Sequence, residues 1–302
     1  MALKENDIIS VIVVTYNAEK FILETLESIK RQSYPTLELI IADDCSTDNT
    51  IRMTEQWISL NKQRFINTCV VVPPKNTGIS ANMNRGLKAA TGKYIKAIAG
   101  DDILMDNCLV DNYAFAEKNK AGFVYSNLIY FGSHTDTQRI RYEKITLNEF
   151  IKQPARQQMK FLARYPTFTN SPTWFFSRTT LEKMNFYDEE FVILDDQHIA
   201  FKAILNGEYM HYLNLDTVKY RVHANSVSRS LSRKKRIIVE RKLIYKKYRA
   251  KYLSFFNIKD VLSMIDFYLT NSFTNLVVNK GLKFLNPLYY KRIILSRWNY
   301  TN

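Results

Sequence analysis

Residues 8–44 read IISVIVVTYNAEKFILETLESIKRQSYPTLELIIADD, and their pattern predicts a strand, a helix and a second strand. Residues 8–14 are nearly all apolar and β-branched, which is typical of a strand buried on both faces of a parallel sheet. Between residues 18 and 32 the apolar side chains share one face, so the pattern predicts an amphipathic helix. Residues 37–42 form another apolar run and predict a second strand, which is followed by two aspartates.

The same alternation continues as far as residue 131. Further strands are predicted at residues 68–72, 93–99 and 122–131. Three further helices are predicted: one after Asp48, one between Gly78 and Gly92, and one near residues 105–118. Asp48 can cap the first of them. The resulting βαβαβαβ order predicts an α/β fold with a doubly wound, mixed but mostly parallel sheet.

Pairs of adjacent aspartates follow two of the predicted strands. Asp43-Asp44 comes after the second strand, Asp101-Asp102 comes after residues 93–99, and a third pair stands at Asp195-Asp196. The first two pairs are expected at the carboxyl ends of neighbouring strands, the edge where open α/β sheets bind ligands. Adjacent carboxylates repel each other, whereas a divalent cation or a ring of ribose and sugar hydroxyls gives a reason to gather them. A turn or a helix cap is the structural alternative for any one pair.

The net charge of +14 is concentrated in the C-terminal quarter of the chain. Residues 1–228 hold 26 Lys and Arg against 26 Asp and Glu, whereas residues 229–302 hold 17 against 3. The sequence therefore divides into a charge-neutral domain at residues 1–228 and a basic, aromatic-rich segment at residues 229–302, which is expected to be helical. No nucleic-acid-reading module accompanies the charge, so nucleic acid is not the expected partner. An anionic membrane surface suits mixed basic and aromatic residues better, and a helical bundle packed on the first domain is the alternative.

Cysteine usage and hydropathy predict the compartment. Cys45, Cys69 and Cys108 lack metal or disulfide spacing, so free thiols in a reducing compartment are expected. No signal peptide is visible, and no segment offers the roughly 18 uninterrupted apolar residues of a spanning helix. A cytoplasmic protein is therefore expected, attached peripherally to the inner face of the cell membrane through the basic segment.

Four segments together resemble glycosyltransferase family 2, whose catalytic domain has the GT-A fold. They are VIVVTYNAEKFILETLESIKRQSYPTLELIIADDCSTDNT (11–50), NTGISANMNRGLKAATGKYIKAIAGDD (76–102), LDDQHIAFKAI (194–204) and YRVHANSVS (220–228). They stand in the family's order, and the resemblance covers residues 8–228. It implies an inverting enzyme that transfers a sugar from a nucleoside diphosphate donor, usually UDP, to a hydroxyl, with Mg²⁺ or Mn²⁺ as cofactor.

The resemblance assigns the metal side of the site to the second and fourth segments. Asp102 is expected to be the principal metal ligand, and Asp101 is expected to contact the donor ribose or to support the ligand. A hard cation held by carboxylate oxygen neutralises the charge that builds on a leaving nucleoside diphosphate. The family commonly has Asp-x-Asp-Asp here, whereas this chain has Ala99-Gly100-Asp101-Asp102. His223 is assigned beside the metal and the diphosphate, with a purely structural histidine as the alternative.

The donor side is assigned from the first two segments. The expected contacts are, in chain order, Thr15, Tyr16, Asn17, Asp43, Asp44, Asn76 and Asn84. Within this set a carboxylate can accept the uracil N–H, and Thr15 offers a small hydroxyl close to the base. The family often has Ala-Arg-Asn where this chain has Ala81-Asn82-Met83-Asn84. The arginine comes later, at Arg85, and reads as a solvated charge on the helix.

The acceptor side is assigned from the third segment. Inversion by direct displacement needs a base that takes the proton of the acceptor hydroxyl. The family's Glu-Asp pair aligns with Asp195-Asp196, which makes Asp196 the base and Asp195 its neighbour, and an acidic surface loop is the alternative. Trp174 is expected near the acceptor because aromatic rings suit the apolar faces of sugars, with core packing as the alternative.

The resemblance, together with the basic segment, implies a glycosyltransferase that extends a lipid-linked glycan acceptor in bacterial surface polysaccharide synthesis, such as that of an O-antigen. Two other functions remain open. A sugar nucleotidyltransferase would share the sheet and the metal, although its Gly-rich activating loop is absent at Val14-Thr15-Tyr16-Asn17. A catalytically silent module that binds nucleotide sugars or a membrane is the other. The sequence does not select the transferred sugar.

Overall fold

The computed structural model describes residues 7–132, 146–166, 171–223 and 234–271. The chain divides into two compact units, of which the first contains Met1–Ser133 and Asn170–His223. The second contains His134–Thr169 and Ala224–Asn302. Residues 134–169 therefore group with the basic segment, whereas the sequence division kept them with the first domain. The predicted boundary between residues 228 and 229 lies outside the described residues and stays a prediction.

The first unit is built on one mixed sheet with helices around it. Its described residues form eight strands: β1 (Ile9–Thr15), β2 (Leu37–Asp43), β3 (Asn67–Val71), β4 (Tyr94–Ala99), β5 (Ile103–Leu104), β6 (Phe123–Phe131), β7 (Phe175–Ser177) and β8 (His211–Arg221). The helices of the described chain are α1 (Ile22–Lys30), α2 (Thr50–Asn61), α3 (Ile79–Ala89), α4 (Cys108–Asn119), α5 (146–151), α6 (Ala155–Arg164), α7 (Arg178–Lys183), α8 (Asp195–Leu205), α9 (Lys234–Ile244) and α10 (Ile258–Asn271).

The sheet order is β3-β2-β1-β4-β7-β6-β8-β5. The first four strands of that order are parallel to one another, as the βαβ pattern predicts. Beyond them, β7 is antiparallel to both β4 and β6, β8 is parallel to β6, and β5 is antiparallel to β8. The sheet is therefore mixed and mostly parallel, which confirms the predicted fold class.

Close packing holds α3 against the strands that carry the acidic edge. A Cβ atom on Gly86 would lie 2.5 Å from a methyl group of Ile12 in β1 and 3.2 Å from the Cβ of Ala42 in β2. Any larger residue would therefore push the helix away from the sheet. Because Ala42 directly precedes the first acidic pair, the glycine keeps α3 close to those carboxylates.

The predicted elements agree with the structure to within a few residues. The helix expected over residues 18–32 is found at Ile22–Lys30, and the strand expected at residues 8–14 is found at Ile9–Thr15. Asp48 lies one position before the N-cap of α2, and its Oδ1 accepts the N–H of Thr50 at 3.0 Å. Its carboxylate therefore satisfies one of the otherwise unpaired N–H groups at the start of that helix.

The second unit is helical where it is described, as predicted for the basic segment. Between α9 and α10 lie a π-helical turn (Tyr245–Arg249) and a 3₁₀ turn (Ala250–Tyr252). Arg249 is buried in this unit, where its Nε donates to the carbonyl of Ala163 at 2.8 Å. Part of the positive charge is thus used inside the fold. Among the residues that the structure describes, no helix has the length and apolar character to cross a membrane.

Several residues of the predicted basic and aromatic surface lie outside the described residues. They are Arg229, Arg233, Phe284, Tyr289, Tyr290, Trp298 and Tyr300.

Candidate active site

The ends of three neighbouring strands meet at one edge of the sheet. Thr15 at the end of β1 is paired with Asp43 of β2, and Val14 is paired with Ala99 of β4. The turn after β4 lies against β1, because a Cβ on Gly100 would be 2.6 Å from the Thr15 hydroxyl. Glycine thus lets the second acidic pair approach β1 closely. The two pairs follow the strands on either side of β1, so β1 separates the two strands that were expected to be neighbours.

Asp102 is held by contacts from several elements, yet one of its oxygens is left over. Its Oδ1 accepts the N–H of Arg221 at the end of β8 at 2.8 Å, and its carbonyl accepts the Thr25 hydroxyl from α1 at 2.7 Å. Its Oδ2 has no hydrogen-bond partner among the described residues, although Asp102 is only 1% exposed. A buried carboxylate oxygen without a partner is costly, and a cation would provide the missing interaction.

The electrostatics of Asp102 point the same way. Burial raises the pKa of its carboxyl well above the ordinary value, and the adjacent Asp101 carboxylate raises it further. The hydrogen bond from Arg221 and the charge of Lys96 act in the opposite direction without cancelling these effects. A divalent cation would reverse the balance, because positive charge stabilises the ionised carboxylate.

Asp101 and His223 form a pair beside Asp102. Nε2 of His223 lies 2.9 Å from Oδ2 of Asp101. The imidazole ring packs on Phe21, with ring centroids 4.8 Å apart. The structure thus brings together Asp102 and His223, which the resemblance assigns to the metal, and Asp101, which it assigns to the donor ribose or to support of the ligand. Their role toward a ligand stays a prediction.

Arg221 is a residue of this site that the sequence analysis missed. Its guanidinium lies over the rings of Phe21 and Phe131, at 4.7 and 4.4 Å from their centroids, and its Nη2 lies 2.7 Å from Oε2 of Glu24. Its Nε donates to the carbonyl of Asp101 at 2.8 Å. The segment YRVH was used in the sequence analysis only for its histidine, whereas the arginine two positions earlier is the last residue of β8.

Asp43 is fully buried and serves the loop that follows β2. Its two oxygens accept the N–H and the hydroxyl of Ser46 at 2.7 and 2.6 Å. Burial raises the pKa of Asp43, and the bonds from Ser46 act in the opposite direction. The carboxylate is thus fixed in orientation at the strand end, next to Thr15.

The loop after β1 is tied to the same region. Asn17 has a left-handed backbone with φ of 53°, its N–H donates to the Ser46 hydroxyl at 2.8 Å, and its Oδ1 accepts the N–H of Thr47 at 2.8 Å. Tyr16 is 44% exposed beside it. The Thr15 hydroxyl is buried without a hydrogen-bond partner among the described residues. This part of the site therefore offers one unsatisfied hydroxyl and one exposed ring.

Asp44 binds the start of α3 and an arginine, so the expectation that Arg85 is a solvated charge is wrong. Its oxygens accept the N–H groups of Thr77 and Gly78 at 2.7 to 3.1 Å, and Nη2 of Arg85 lies 2.7 Å from its Oδ1. The side chains of Asp44 and Arg85 are only 6% and 25% exposed. Carboxylates are stabilising at helix N-termini, where N–H groups lack helical partners. These contacts give Asp44 a role in the fold.

The two asparagines assigned to the donor lie in different surroundings. Asn76 is exposed in the loop before α3. Asn84 is buried, donates its amide to the carbonyl of Tyr187 at 2.9 Å and to Oε1 of Glu189 at 3.0 Å, and accepts the N–H of Tyr187 at 3.0 Å. Asn84 therefore anchors the segment that leads to the third acidic pair. Donor contact by either residue stays a prediction.

Asp195 and Asp196 occupy the first turn of α8 and are both partly exposed. Oδ1 of Asp196 accepts the N–H of Gln197 at 2.7 Å. The positive end of the helix dipole favours ionised carboxylates at this position. The helix start thus presents two partly exposed acidic side chains.

The segment before α8 is fixed from two sides. On the α3 side, the Ser80 hydroxyl donates to the carbonyl of Phe191, and a Cβ on Gly78 would meet Val192 at 2.5 Å. On the other side, Lys202 of α8 binds Asp188 at 2.5 Å. These contacts limit the freedom of the segment that ends at the third acidic pair.

Trp174 lies in the core, which is the alternative that the sequence left open. It is 4% exposed and packs edge-on against Phe123, at 5.1 Å, and Phe176, at 5.9 Å. Its carbonyl accepts from Nζ of the buried Lys96 at 3.2 Å. The side chain is therefore not available as an exposed platform for a sugar.

The residues at the sheet edge fit a cation that binds with few protein ligands. No group of three or more His, Cys, Asp or Glu side chains within the described part of the chain is arranged to hold a metal. Mg²⁺ commonly takes one or two carboxylates and completes its shell with water and phosphate oxygens. The free Oδ2 of Asp102, with Asp101 beside it, matches that requirement.

Comparison with known proteins identifies the family. The profile of Glycosyl transferase family 2 matches residues 10–196. The poly(ribitol-phosphate) beta-N-acetylglucosaminyltransferase TarS of Staphylococcus aureus (strain MW2) is 30% identical over 213 residues, which cover 68% of this chain and 34% of TarS. This chain thus spans about a third of the length of that relative. The Escherichia coli protein UDP-Glc:alpha-D-GlcNAc-diphosphoundecaprenol beta-1,3-glucosyltransferase WfaP is 29% identical over 222 residues, covering 74% of this chain and 80% of WfaP.

Solved structures share the fold. The crystal structure of S. aureus TarS residues 1–349 in complex with UDP-GlcNAc matches with a TM-score of 0.60 at 21% identity, covering 97% of this chain and 89% of that chain. The mannosyltransferase PcManGT from Pyrobaculum calidifontis, in complex with GDP-Man and Mn²⁺, matches with a TM-score of 0.56 at 17% identity, covering 95% and 73%. The predicted GT-A fold is confirmed, and with the profile match over more than half of its length the chain belongs to glycosyltransferase family 2.

Proposed function

We propose that the protein is an inverting, metal-dependent glycosyltransferase that uses a nucleoside diphosphate sugar, with UDP as the nucleotide. The observation that carries the proposal is the sheet edge where Thr15, Asp43 and the pair Asp101-Asp102 converge. Two buried oxygens there, on Thr15 and Asp102, lack partners among the described residues. An edge that leaves such oxygens unsatisfied is suited to a polar, cation-bearing ligand.

The donor would lie along this edge. The uridine and ribose contacts are proposed for Thr15, Tyr16, Asn17, Asp43, Asp44, Asn76, Asn84 and Asp101. Support is uneven across this set. Thr15 has an unsatisfied hydroxyl and Tyr16 an exposed ring, whereas Asp44 and Asn84 already bind other parts of the fold. The first two are therefore the stronger donor contacts, and the last two are better explained as positioning residues.

Asp102 and His223 would hold Mg²⁺ or Mn²⁺ against the donor diphosphate. Such a cation neutralises the charge that develops on the leaving group. Asp102 offers its free Oδ2, while Asp101 orients His223 through the 2.9 Å contact. The bound Mn²⁺ of PcManGT, a protein with the same fold, is consistent with this assignment.

Asp196 would act as the base at the start of α8, with Asp195 as its neighbour. Inversion requires a group that accepts the proton of the attacking hydroxyl. Asp196 lies in the first turn of α8, and the contacts of Ser80 with Phe191 and of Lys202 with Asp188 hold the segment before it. The base would thus be held in position before the acceptor arrives.

The acceptor is proposed to be a lipid-linked glycan in bacterial surface polysaccharide synthesis, such as that of an O-antigen. The name of WfaP specifies a diphosphoundecaprenol-linked acceptor, and the name of TarS specifies poly(ribitol-phosphate). A basic segment near the chain's C-terminus suits an anionic membrane and a diphosphate-bearing lipid. A peripheral location at the inner face of the cell membrane is part of this proposal.

A screen of nucleotide sugars tests the proposal. Each candidate donor is added to the full chain with Mn²⁺, and the unfolding temperature is measured, because a bound ligand stabilises the native state by mass action. Donors that raise the unfolding temperature are then incubated with the protein and a lipid-diphosphate glycan. The product is tested for a transferred sugar with inverted anomeric configuration. Binding without transfer or donor hydrolysis would identify a silent module instead. Formation of a nucleotide sugar from a sugar phosphate and a nucleoside triphosphate would identify a nucleotidyltransferase.

A further inference from the structure

Two adjacent phenylalanines project from the turn between the 3₁₀ turn Ala250–Tyr252 and α10. Phe255 is 82% exposed and Phe256 is completely exposed, and Ile258 after them is 70% exposed. Burying a phenylalanine side chain is worth about 1.5 to 3 kcal/mol. Scattered exposed apolar residues are ordinary, but three within four positions form a patch that points to a binding surface. We call the stretch 255–258 the apolar turn.

The apolar turn is held by hydrogen bonds and by an ion pair beneath it. Asp260 is completely buried, accepts the N–H of Ser254 at 3.2 Å, and forms an ion pair with Arg164 of α6. Asn257 caps α10, because its Oδ1 accepts the N–H groups of Lys259 and Asp260 at 3.0 and 3.3 Å. The phenylalanines thus extend from a fixed base.

The surroundings of the apolar turn are strongly basic. Residues 234–271 hold ten Lys and Arg against three acidic residues. Two of these acids, Glu240 and Asp260, are completely buried and bind arginines. Lys251 and Lys259, on either side of the turn, are both exposed. Apolar rings flanked by lysines match the interface of an anionic bilayer, where rings enter the acyl boundary and ammonium groups meet the head groups.

We propose that the apolar turn inserts Phe255 and Phe256 into the interface of an anionic lipid bilayer. The inference rests on the proposed peripheral membrane location and adds an apolar contact to it. Electrostatic attraction to anionic lipid weakens as salt screens it, whereas apolar burial persists. The turn therefore provides the part of membrane binding that resists salt.

Flotation of the full chain with vesicles of phosphatidylglycerol and phosphatidylcholine provides the test, at low and at high salt. The double variant Phe255→Ser/Phe256→Ser is compared with Leu60→Ser/Ile66→Ser, a matched control that removes two exposed apolar side chains from the first unit. We expect the first variant to lose at least about tenfold in vesicle affinity at both salt concentrations. The control variant is expected to bind as the unchanged protein does.

A second measurement reports insertion directly. The emission of Phe256→Trp is compared with that of the unchanged protein, which has three tryptophans of its own. The difference is expected to shift to shorter wavelength on vesicles and to be quenched by lipids brominated near the head group. If the double serine variant binds vesicles as the unchanged protein does, and the emission of Phe256→Trp does not shift, the proposed insertion of the apolar turn is wrong. The proposed peripheral location would still stand. An unchanged protein that ignores vesicles at low salt would overturn both, leaving glycosyl transfer to be judged by the donor screen. A molar mass that falls by half in the serine variant without lipid would assign the turn to a second copy of this chain and so overturn the proposal.

Discussion

The main-chain N–H of Arg221 lies 2.8 Å from Oδ1 of Asp102, although 119 positions separate the two residues in the chain. The bond joins the end of β8 to the turn after β4. It fixes the rotation of a buried carboxylate and leaves Oδ2 as the oxygen without a partner among the described residues. The proposed metal ligand is therefore oriented by the fold before any cation binds, which lowers the entropy cost of binding.

Replacing Asp102 tests the metal assignment. Asp102→Ala removes the free oxygen, so we expect it to abolish the Mn²⁺-dependent part of UDP binding, because the cation bridges carboxylate and diphosphate. Calorimetry of UDP with and without Mn²⁺ measures this. Asp106→Ala, which removes a carboxylate whose side chain is 79% exposed, is the matched control and is expected to bind normally. Equal UDP affinity in the two conditions for the unchanged protein would remove the metal from the site.

The same carboxyl predicts how metal-dependent binding varies with pH. Burial, followed by the charge of Asp101, raises the pKa of Asp102 above its ordinary value. A proton therefore competes with the cation at a higher pH than for an exposed aspartate, and metal ligands must be deprotonated to bind. We expect the Mn²⁺-dependent UDP affinity to fall as the pH is lowered from about 8 to about 5. An affinity that stays constant over this interval would contradict the prediction.

Replacing Asp196 tests the proposed base. Asp196→Asn keeps the shape of the side chain but cannot accept the acceptor proton, so transfer should fall by roughly a hundredfold or more. UDP binding should be retained, since the base lies on the acceptor side. The comparison of single-turnover transfer with UDP calorimetry separates the two effects. Near-normal turnover would remove Asp196 from the mechanism, and Asp195→Asn would then be measured in the same assay.

The pair of Asp44 and Arg85 distinguishes a donor contact from a positioning role. Asp44→Asn weakens bonds to the start of α3 and leaves a partly buried guanidinium without its carboxylate, so we expect a loss of about 1 to 3 kcal/mol in the free energy of unfolding. Chemical denaturation measures this loss. In the double variant Asp44→Asn/Arg85→Met, the loss in the free energy of unfolding should differ from the sum of the losses of the two single variants, because the two residues contact each other. UDP affinity should change little in the folded protein. A stable variant with much weaker UDP binding would instead support the direct donor contact.

The sequence predicted where the chemical groups gather because that depends on periodicity. Parallel strands end at one edge, so Asp43 and Asp101 could be placed at that edge from the apolar runs alone. The position of β1 between their two strands was not predicted. It did not predict which hydrogen bonds those groups make. Whether Asp44 binds a ligand or the start of α3 depends on how closely α3 packs, and hence on Gly86 and its contact with Ile12.

Long-range contacts were missed for a related reason. Arg221 contacts the acidic pair through its main-chain N–H and its Nε, and neither contact can be predicted from residue spacing. The sequence left two locations open for Trp174, the acceptor cleft and the core, because aromatic side chains suit both. Trp174 directly precedes β7, and β7 lies between β4 and β6 in the sheet, so the side chain is buried in the core. No local sequence pattern predicts that strand order.

Charge removal from α9 tests the electrostatic part of membrane binding. Each basic residue near an anionic surface contributes about 1 kcal/mol, so changing Lys234, Lys235 and Arg236 to Gln should weaken vesicle affinity on the order of a hundredfold at low salt and much less at high salt. Flotation measures it. The control changes three exposed lysines of the first unit, Lys62, Lys118 and Lys120, to Gln and so removes the same number of positive charges.

Arg236 forms an ion pair with the buried Glu240 at 2.7 Å, so its loss could also disturb α9. Changing Lys242 and Lys246 to Gln avoids that difficulty, because both are exposed and the pair with Glu240 stays intact. If both α9 variants bind less well than the first-unit control, the loss is due to charge at this surface. If all three bind alike, the attraction depends only on net charge, and the basic segment is better explained as a helical subdomain that steers an anionic lipid-diphosphate acceptor.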